Sequence, residues 1–264
     1  MKRFGYLLSL AVLLTGCATM QPEAETAPRT EAESLIHRIE VAHGVKALDR
    51  SKAIHAKVHV VFPGVFELKG DMAFVLATGQ ARLDLADGKS VVFDGQAAYV
   101  TGGEAGPMDR FHVLTWSYFL SSPFRMTDGG VVLGDVESLP LHGPSNKLQA
   151  VNISFEAGTG DAPDDWYELF VGPGDRMAAL AYILTFGKTV EEASATPSIM
   201  VVNKLSKVDG LVLPEVVKFA FWDSQSGITK EKGTAIFSDV RIQDPTADLF
   251  KAPANAAVAP LPGG

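Results

Sequence analysis

Several groups of residues in this chain could do chemistry, and each is weighed against its own spacing. His55 and His59 lie four apart, which on a helix would put two imidazoles on one face as a zinc pair. Residues 56–62 alternate as a strand does, however, and four strand residues span about 13 Å, too far for one ion. The pair is read as structural. Asp161, Asp164 and Asp165 crowd a Gly/Pro loop before Trp166, and three carboxylates could hold calcium, a hard cation that takes oxygen ligands. Their spacing departs from the EF-hand pattern, and Asp beside Pro is ordinary turn chemistry. The favoured reading is a turn with no metal; the three aspartates are the candidates should a cation bind. Gly187-Lys188-Thr189 ends like a phosphate-binding loop, but Tyr182 stands where that motif needs its first glycine. There is no G-x-S-x-G elbow for a serine hydrolase. A pair of distant carboxylates could still meet in a hydrolytic site, which spacing alone does not reveal. The remaining signal is aromatic: Phe111, Trp116, Tyr118, Phe119 and Phe124 in one segment, with Phe219, Phe221 and Trp222 in another. Such rings bury much area at low entropic cost, either as a packed core or as the wall of an apolar pocket.

Cys17 is the single cysteine, so disulfides, thiolate catalysis and cysteine-ligated metals are excluded. It closes a distinctive N-terminus. Met1-Lys2-Arg3 precedes an apolar run that ends in Leu14-Thr15-Gly16-Cys17, a run too short for a membrane span of about 20 residues. The order of charges, apolar run and Leu-x-Gly-Cys resembles the lipobox of bacterial lipoproteins. That resemblance implies removal of residues 1–16 as a signal peptide and lipidation of Cys17, giving a multiply acylated anchor that holds stably to a membrane. Ala18 rather than Asp follows the cysteine, which points to the inner leaflet of the outer membrane, facing the periplasm. Residues 17–30 are polar, proline-containing and without period, as a flexible tether should be.

Of the 264 residues, 47% are hydrophobic, which excludes a wholly disordered chain. The formal charge of −8 argues against a general nucleic-acid binder, which needs a basic face. Thr30 sits three before Glu33 as a capping box; Leu35, Ile36 and Ile39 then follow at helical spacing, and Gly44 closes the helix. From residue 56 the period becomes two: Phe66, Leu68, Met72 and Phe74 take one face and Glu67, Lys69 and Asp71 the other. Pro63-Gly64, Asp87-Gly88 and Asp94-Gly95 mark turns between the strands of an antiparallel meander. Residues 109–121 form a second helix, with Asp109 able to cap it and apolar side chains around much of its girth. Such a helix must be buried on most sides or line a cavity. Strands resume near 147–155, 166–171, 178–186, 198–206, 215–223 and 233–242; those around Leu180 and Phe219 are apolar on both faces and so are covered on both. Residues 254–264 read as a disordered Ala/Pro/Gly tail, leaving 31–253 as one domain.

The stretch Lys207-Val208-Asp209-Gly210-Leu211-Val212-Leu213-Pro214-Glu215, with Phe219, Asp239-Val240 and Asp248-Leu249-Phe250-Lys251-Ala252-Pro253, resembles the closing strands of the LolA/LolB-like lipoprotein-carrier superfamily. Ser122-Pro123-Phe124-Arg125 and the segment from Gly158 to Tyr167 resemble a family of bacterial secreted proteins whose activity is unassigned. The resemblance implies a curved antiparallel sheet or half-open barrel, mostly β, wrapped around an N-terminal helix and a mid-chain apolar helix with an apolar cavity for acyl chains. No carrier residue transfers position by position.

The leading expectation is a lipid-anchored, non-enzymatic periplasmic protein without a cofactor, binding an acyl-chain-like or other apolar ligand. Phe111, Trp116, Phe119 and Trp222 are the expected cavity walls. Its membrane contact would run through Cys17, no nucleic acid is expected, and any protein partner is left open. Two alternatives stand beside it: an envelope protein-interaction module with a packed interior, and an envelope hydrolase using carboxylates or calcium.

Overall fold

The structure, a computed structural model, describes residues 29–261, so the expected signal peptide, Cys17 and most of the expected tether lie outside the described residues. The first element is helix α1 (Glu31–Ala42). The capping box forms as its sequence requires: the Thr30 N–H donates to Glu33 Oε2 at 2.7 Å and the Glu33 N–H to Thr30 Oγ1 at 3.1 Å. Ala32, Leu35, Ile36 and Ile39 make its buried stripe. Gly44 ends it at φ 86°, and a Cβ there would stand 2.1 Å from the Gly210 carbonyl oxygen, so only glycine fits.

A meander of five strands follows: β1 (Ala53–Phe62), β2 (Phe66–Val75), β3 (Ala81–Leu85), β4 (Ser90–Phe93) and β5 (Ala98–Thr101). Helix α2 (Pro107–Ser121) interrupts the sheet as expected. Proline at its first position suits a place where the N–H would be unpaired anyway, and Asp109 caps from within by accepting the Gly106 N–H at 2.8 Å. The second half contains β6 (Val131–Pro140), β7 (Lys147–Phe155), β8 (Tyr167–Val171), β9 (Met177–Tyr182), the short helix α3 (Val190–Ser194), β10 (Ser198–Val208), β11 (Leu211–Asp223), β12 (Gly227–Gln243) and β13 (Ala257–Val258).

All strands join one open antiparallel sheet in the order β13-β5-β4-β3-β2-β1-β12-β11-β10-β9-β8-β7-β6. Helix α2 touches β5, β4, β3 and β2 and also β11, so the sheet must curve around it. Helix α1 lies farther along the same face, against β6 and β7. The main core fills the space between the helices and this face, and includes Met72, Phe74, Leu83, Val91, Trp116, Phe119, Leu180, Met200 and Phe219.

The reverse face is covered in two places. Under β9 to β11, Ala179, Ala181, Ile199, Ala220 and Trp222 pack against Leu139 and Leu141, where the end of β6 folds over them. Under β1, β2 and β4, Ala53, Ala73, Val75 and Val92 are sealed by Leu249 and Phe250. The strands with two apolar faces are thus covered twice, on the second face by the chain itself.

Two expectations need correction. The sequence predicts no strand at β6, whose burial follows no clean alternation because a register shift between Leu133 and Val136 breaks its period. The segment 254–264 is not wholly a disordered tail: Ala257 and Val258 pair with Val100 and Tyr99, and the Ala259 N–H donates to the Ala98 carbonyl at 2.8 Å. Ala259 is buried there, so a small side chain docks the chain end over the edge of β5.

Candidate functional site

Helix α2 sets its aromatic side chains against rings that the sheet supplies. Trp116 lies 6.1 Å from Phe219 and 6.4 Å from Phe66, ring centre to ring centre; Phe119 lies 5.3 Å from Phe219 and 5.6 Å from Tyr182. Phe62 closes the layer by stacking on Phe66 at 5.0 Å and meeting Phe219 at 5.3 Å. These distances and tilts are those of attractive aromatic pairs, worth about 0.5–1.5 kcal/mol each beyond area burial.

Toward the N-terminus of α2 the layer continues through His112, whose ring stacks on Trp116 at 5.9 Å, to Phe111 at 5.4 Å. Phe111 then meets Phe186, on the connection between β9 and α3, at 5.0 Å. Phe186 also lines a surface cleft of about 460 Å³, together with Asp161, Asp164, Thr185, Lys188 and Glu192. The ring layer therefore runs from the interior to an open cleft, with the Phe111–Phe186 pair at the boundary.

Charges fix this end of the helix. Arg110, buried, donates to both oxygens of Asp161 at 2.5 and 2.7 Å and to the Gln96 carbonyl at 2.9 Å, and lies over the Phe93 ring. Lys89 donates to Asp109 at 2.9 Å and to the Glu104 carbonyl at 2.8 Å. Burial holds the His112 imidazole neutral by pushing its pKa down to about 4, outweighing the opposing pull of the Asp109 carboxylate.

Of the expected wall residues, Phe111, Trp116 and Phe119 come together here and Trp222 does not. Trp222 faces the reverse side, its ring 6.5 Å from Trp166 and 5.8 Å from Phe170, and its Nε1–H donates to the Pro140 carbonyl at 2.9 Å. The reason is strand period: Phe219 and Trp222 differ by an odd step, which puts them on opposite faces. Trp222 and Trp166 instead border a second cleft of about 540 Å³ with Pro197 and Phe221.

The three aspartates do not converge either. Asp161 is committed to Arg110, and Asp165 accepts from the Thr185 N–H at 2.8 Å and hydroxyl at 2.7 Å. Asp165 is buried, and that burial raises its pKa to about 6 against the pull of those hydrogen bonds. No cluster of metal-ligating side chains is present among the described residues. His55 and His59 lie on β1 as expected, one meeting Gln243 at 3.1 Å and the other Glu67 at 2.9 Å.

Sequence reasoning missed His112, Phe66 and Phe186. His112 falls one turn before Trp116 on the same helical face, a signal that was present. Phe66 lies on the sheet face its alternation predicts, but nothing local says which strand lies under α2. Phe186 sits in a connection whose position depends on the whole sheet.

The sequence matches no protein-family model and no curated protein. Among solved structures the chain is similar to a LolA superfamily protein from Nitrosomonas europaea, with 9% identity and a TM-score of 0.54 over 84% of this chain and 98% of that one. The fold is LolA-like. Two other likenesses are fainter: an outer-membrane lipoprotein-sorting domain, so described, from Vibrio parahaemolyticus (7% identity, TM-score 0.49, covering 83% and 97%) and a DUF1329 family protein from Desulfovibrio piger (11%, 0.47, covering 81% and 93%). Only the first carries the fold assignment, and at this identity a shared fold does not transfer an activity. Among the described residues no helix is long and apolar enough to cross a membrane.

Proposed function

We propose that this LolA-like protein is a lipid-anchored binding protein of the bacterial envelope. It holds an acyl chain or comparable apolar ligand between α2 and the sheet without transforming it. The N-terminal lipobox resemblance supports anchoring through Cys17 at the periplasmic face of the outer membrane. A protein fixed there receives or holds its cargo locally.

The observation that carries the binding reading is the continuous ring layer from Phe219 through Trp116, His112 and Phe111 to Phe186 at the edge of an open cleft. A ligand chain lying along it would gain roughly 25 cal/mol per Å² of apolar surface buried, less the cost of ordering. Uptake requires residues 184–189 to withdraw Phe186 from Phe111, since the rings fill the layer in this structure.

Native mass spectrometry with organic extraction, on residues 18–264 purified from bacterial periplasm, tests the reading. A near-stoichiometric lipid is expected. An empty protein that also refuses fluorescent fatty acids would transfer the proposal to a protein-interaction module. One observation favours that second reading: β6 is the sheet's long edge strand, paired on one side only with β7, and Val132 on it is 43% exposed.

A further inference from the structure

Among the described residues three polar side-chain atoms are sealed from solvent with no hydrogen-bond partner: His112 Nδ1, Trp116 Nε1 and Tyr118 Oη. Buried polar groups almost always find partners, because leaving one unpaired forfeits its hydration. His112 and Trp116 lie one helical turn apart on the same face of α2, with their rings within 13° of parallel. Around them stand the hydrocarbon rings of Phe66, Phe219 and Phe111, which offer at most the weak acceptor of a π face and no oxygen or nitrogen.

We propose that His112 and Trp116 form the polar subsite of the interior and bind the carbonyl oxygen of an ester-linked acyl chain. This rests on the binding reading above and names its ligand class. The indole Nε1–H is a donor only, so whatever completes it must present an acceptor. The imidazole can supply a second N–H from Nδ1 in one neutral tautomer. Lys89 and Arg110, the cations that hold this end of the helix, are already taken by Asp109 and Asp161, so neither is free to neutralise a carboxylate beside His112 and Trp116. A neutral carbonyl therefore suits the subsite better than a free acid. A bare hydrocarbon would leave both nitrogens unsatisfied.

The test uses the full-length protein in membranes and two photoreactive probes of equal chain length, a diazirine-bearing fatty acid methyl ester and a diazirine-bearing alkane. Trypsin cuts after Arg110 and Arg125, so residues 111–125 leave as one peptide carrying both side chains. The ester is expected to label that peptide about tenfold more than the alkane, the ratio that one or two hydrogen bonds to buried donors would give. Trp116→Phe and His112→Phe should each pull the ratio toward unity while alkane labelling persists, and His112→Asn should restore part of it. An unchanged ratio in both phenylalanine variants would overturn the subsite and leave a buried water as the partner, with apolar binding intact. If neither probe labels the peptide in the wild type, the binding reading itself falls. Thermal unfolding establishes that each variant is folded, and either phenylalanine variant alone suffices if the other is not.

Discussion

The His43 imidazole ties the end of α1 to two strands of the sheet. Its Nε2 accepts the Met177 N–H at 3.0 Å, and its Nδ1–H donates to the Val212 carbonyl 2.6 Å away. The ring is fully buried, so it must be neutral, with the proton on Nδ1. Burial, aided by the Arg176 charge, lowers its pKa against the raising effect of the Val212 bond.

A pH dependence of stability follows from that ring and from His112. Both are harder to protonate folded than unfolded, so the unfolded chain binds more protons below the ordinary histidine pKa. Their contribution is complete above about pH 6.5 and is lost as pH falls toward the folded values, His112 titrating at about 4. Asp165 acts in the opposite sense, because its raised pKa of about 6 favours the folded state at low pH. The histidine share is therefore read as a difference. Between pH 7.5 and 5.5 the wild type should lose more melting temperature than His43→Gln, which cannot titrate. Equal losses would mean that His43 is not buried neutral.

The Arg110–Asp161 pair should behave as a buried ion pair. With Arg110 buried and held by two oxygens, Asp161→Asn strands a guanidinium and is expected to cost about 3 kcal/mol in denaturant unfolding. The double variant Arg110→Met with Asp161→Leu should recover most of that loss. The same geometry predicts that calcium or a chelator leaves the melting temperature unchanged, since Asp161 and Asp165 already have partners. A calcium-dependent rise in the wild type, absent from Asp164→Asn, would count against it.

Trp116 and Trp222 should separate binding from stability. Trp222→Phe loses the hydrogen bond to Pro140 and contacts with Trp166 and Phe170, costing about 1–3 kcal/mol of stability. Because it faces away from α2, uptake of a fluorescent fatty acid should not change. Trp116→Ala should weaken uptake and stability together. If Trp222→Phe weakened uptake while leaving stability alone, the assignment of faces to function would be reversed.

These two tryptophans also show what can be read in a sequence of this kind. The capping box at Thr30, the alternation through β2 and the apolar girth of α2 are local properties, and they appear in the structure where their spacing puts them. Site membership is not local. Phe219 and Trp222 belong to one aromatic strand, and only counting the period between them separates interior from reverse face. Phe66, Phe219 and Phe186 meet α2 because the sheet curves, and curvature accumulates over strands whose individual patterns do not encode it. Strand β6 is invisible for a related reason: its partner face is set by the bulge between Leu133 and Val136, which disrupts alternation.

The contact between Phe186 and Phe111 makes a last prediction, about rate rather than affinity. Phe186 borders the open cleft on one side and the ring layer on the other, so a ligand coming from the cleft must displace it. Its connection is held at Thr185 by the Asp165 carboxylate and leads through Thr189 into α3, whose Thr189–Glu192 capping box fixes the far end. Between those two anchors the backbone passes through Gly187 in the left-handed region at φ 69°, where the chain can turn without a Cβ penalty. Replacing Phe186 by Ala removes the plug but leaves both anchors and the deep rings in place. Stopped-flow uptake of a fluorescent fatty acid should then show association and release both faster by about tenfold, with the equilibrium constant changed less than either rate. An unchanged association rate would place the access route elsewhere, and the second cleft beside Trp222 and Pro197 would be the next to test.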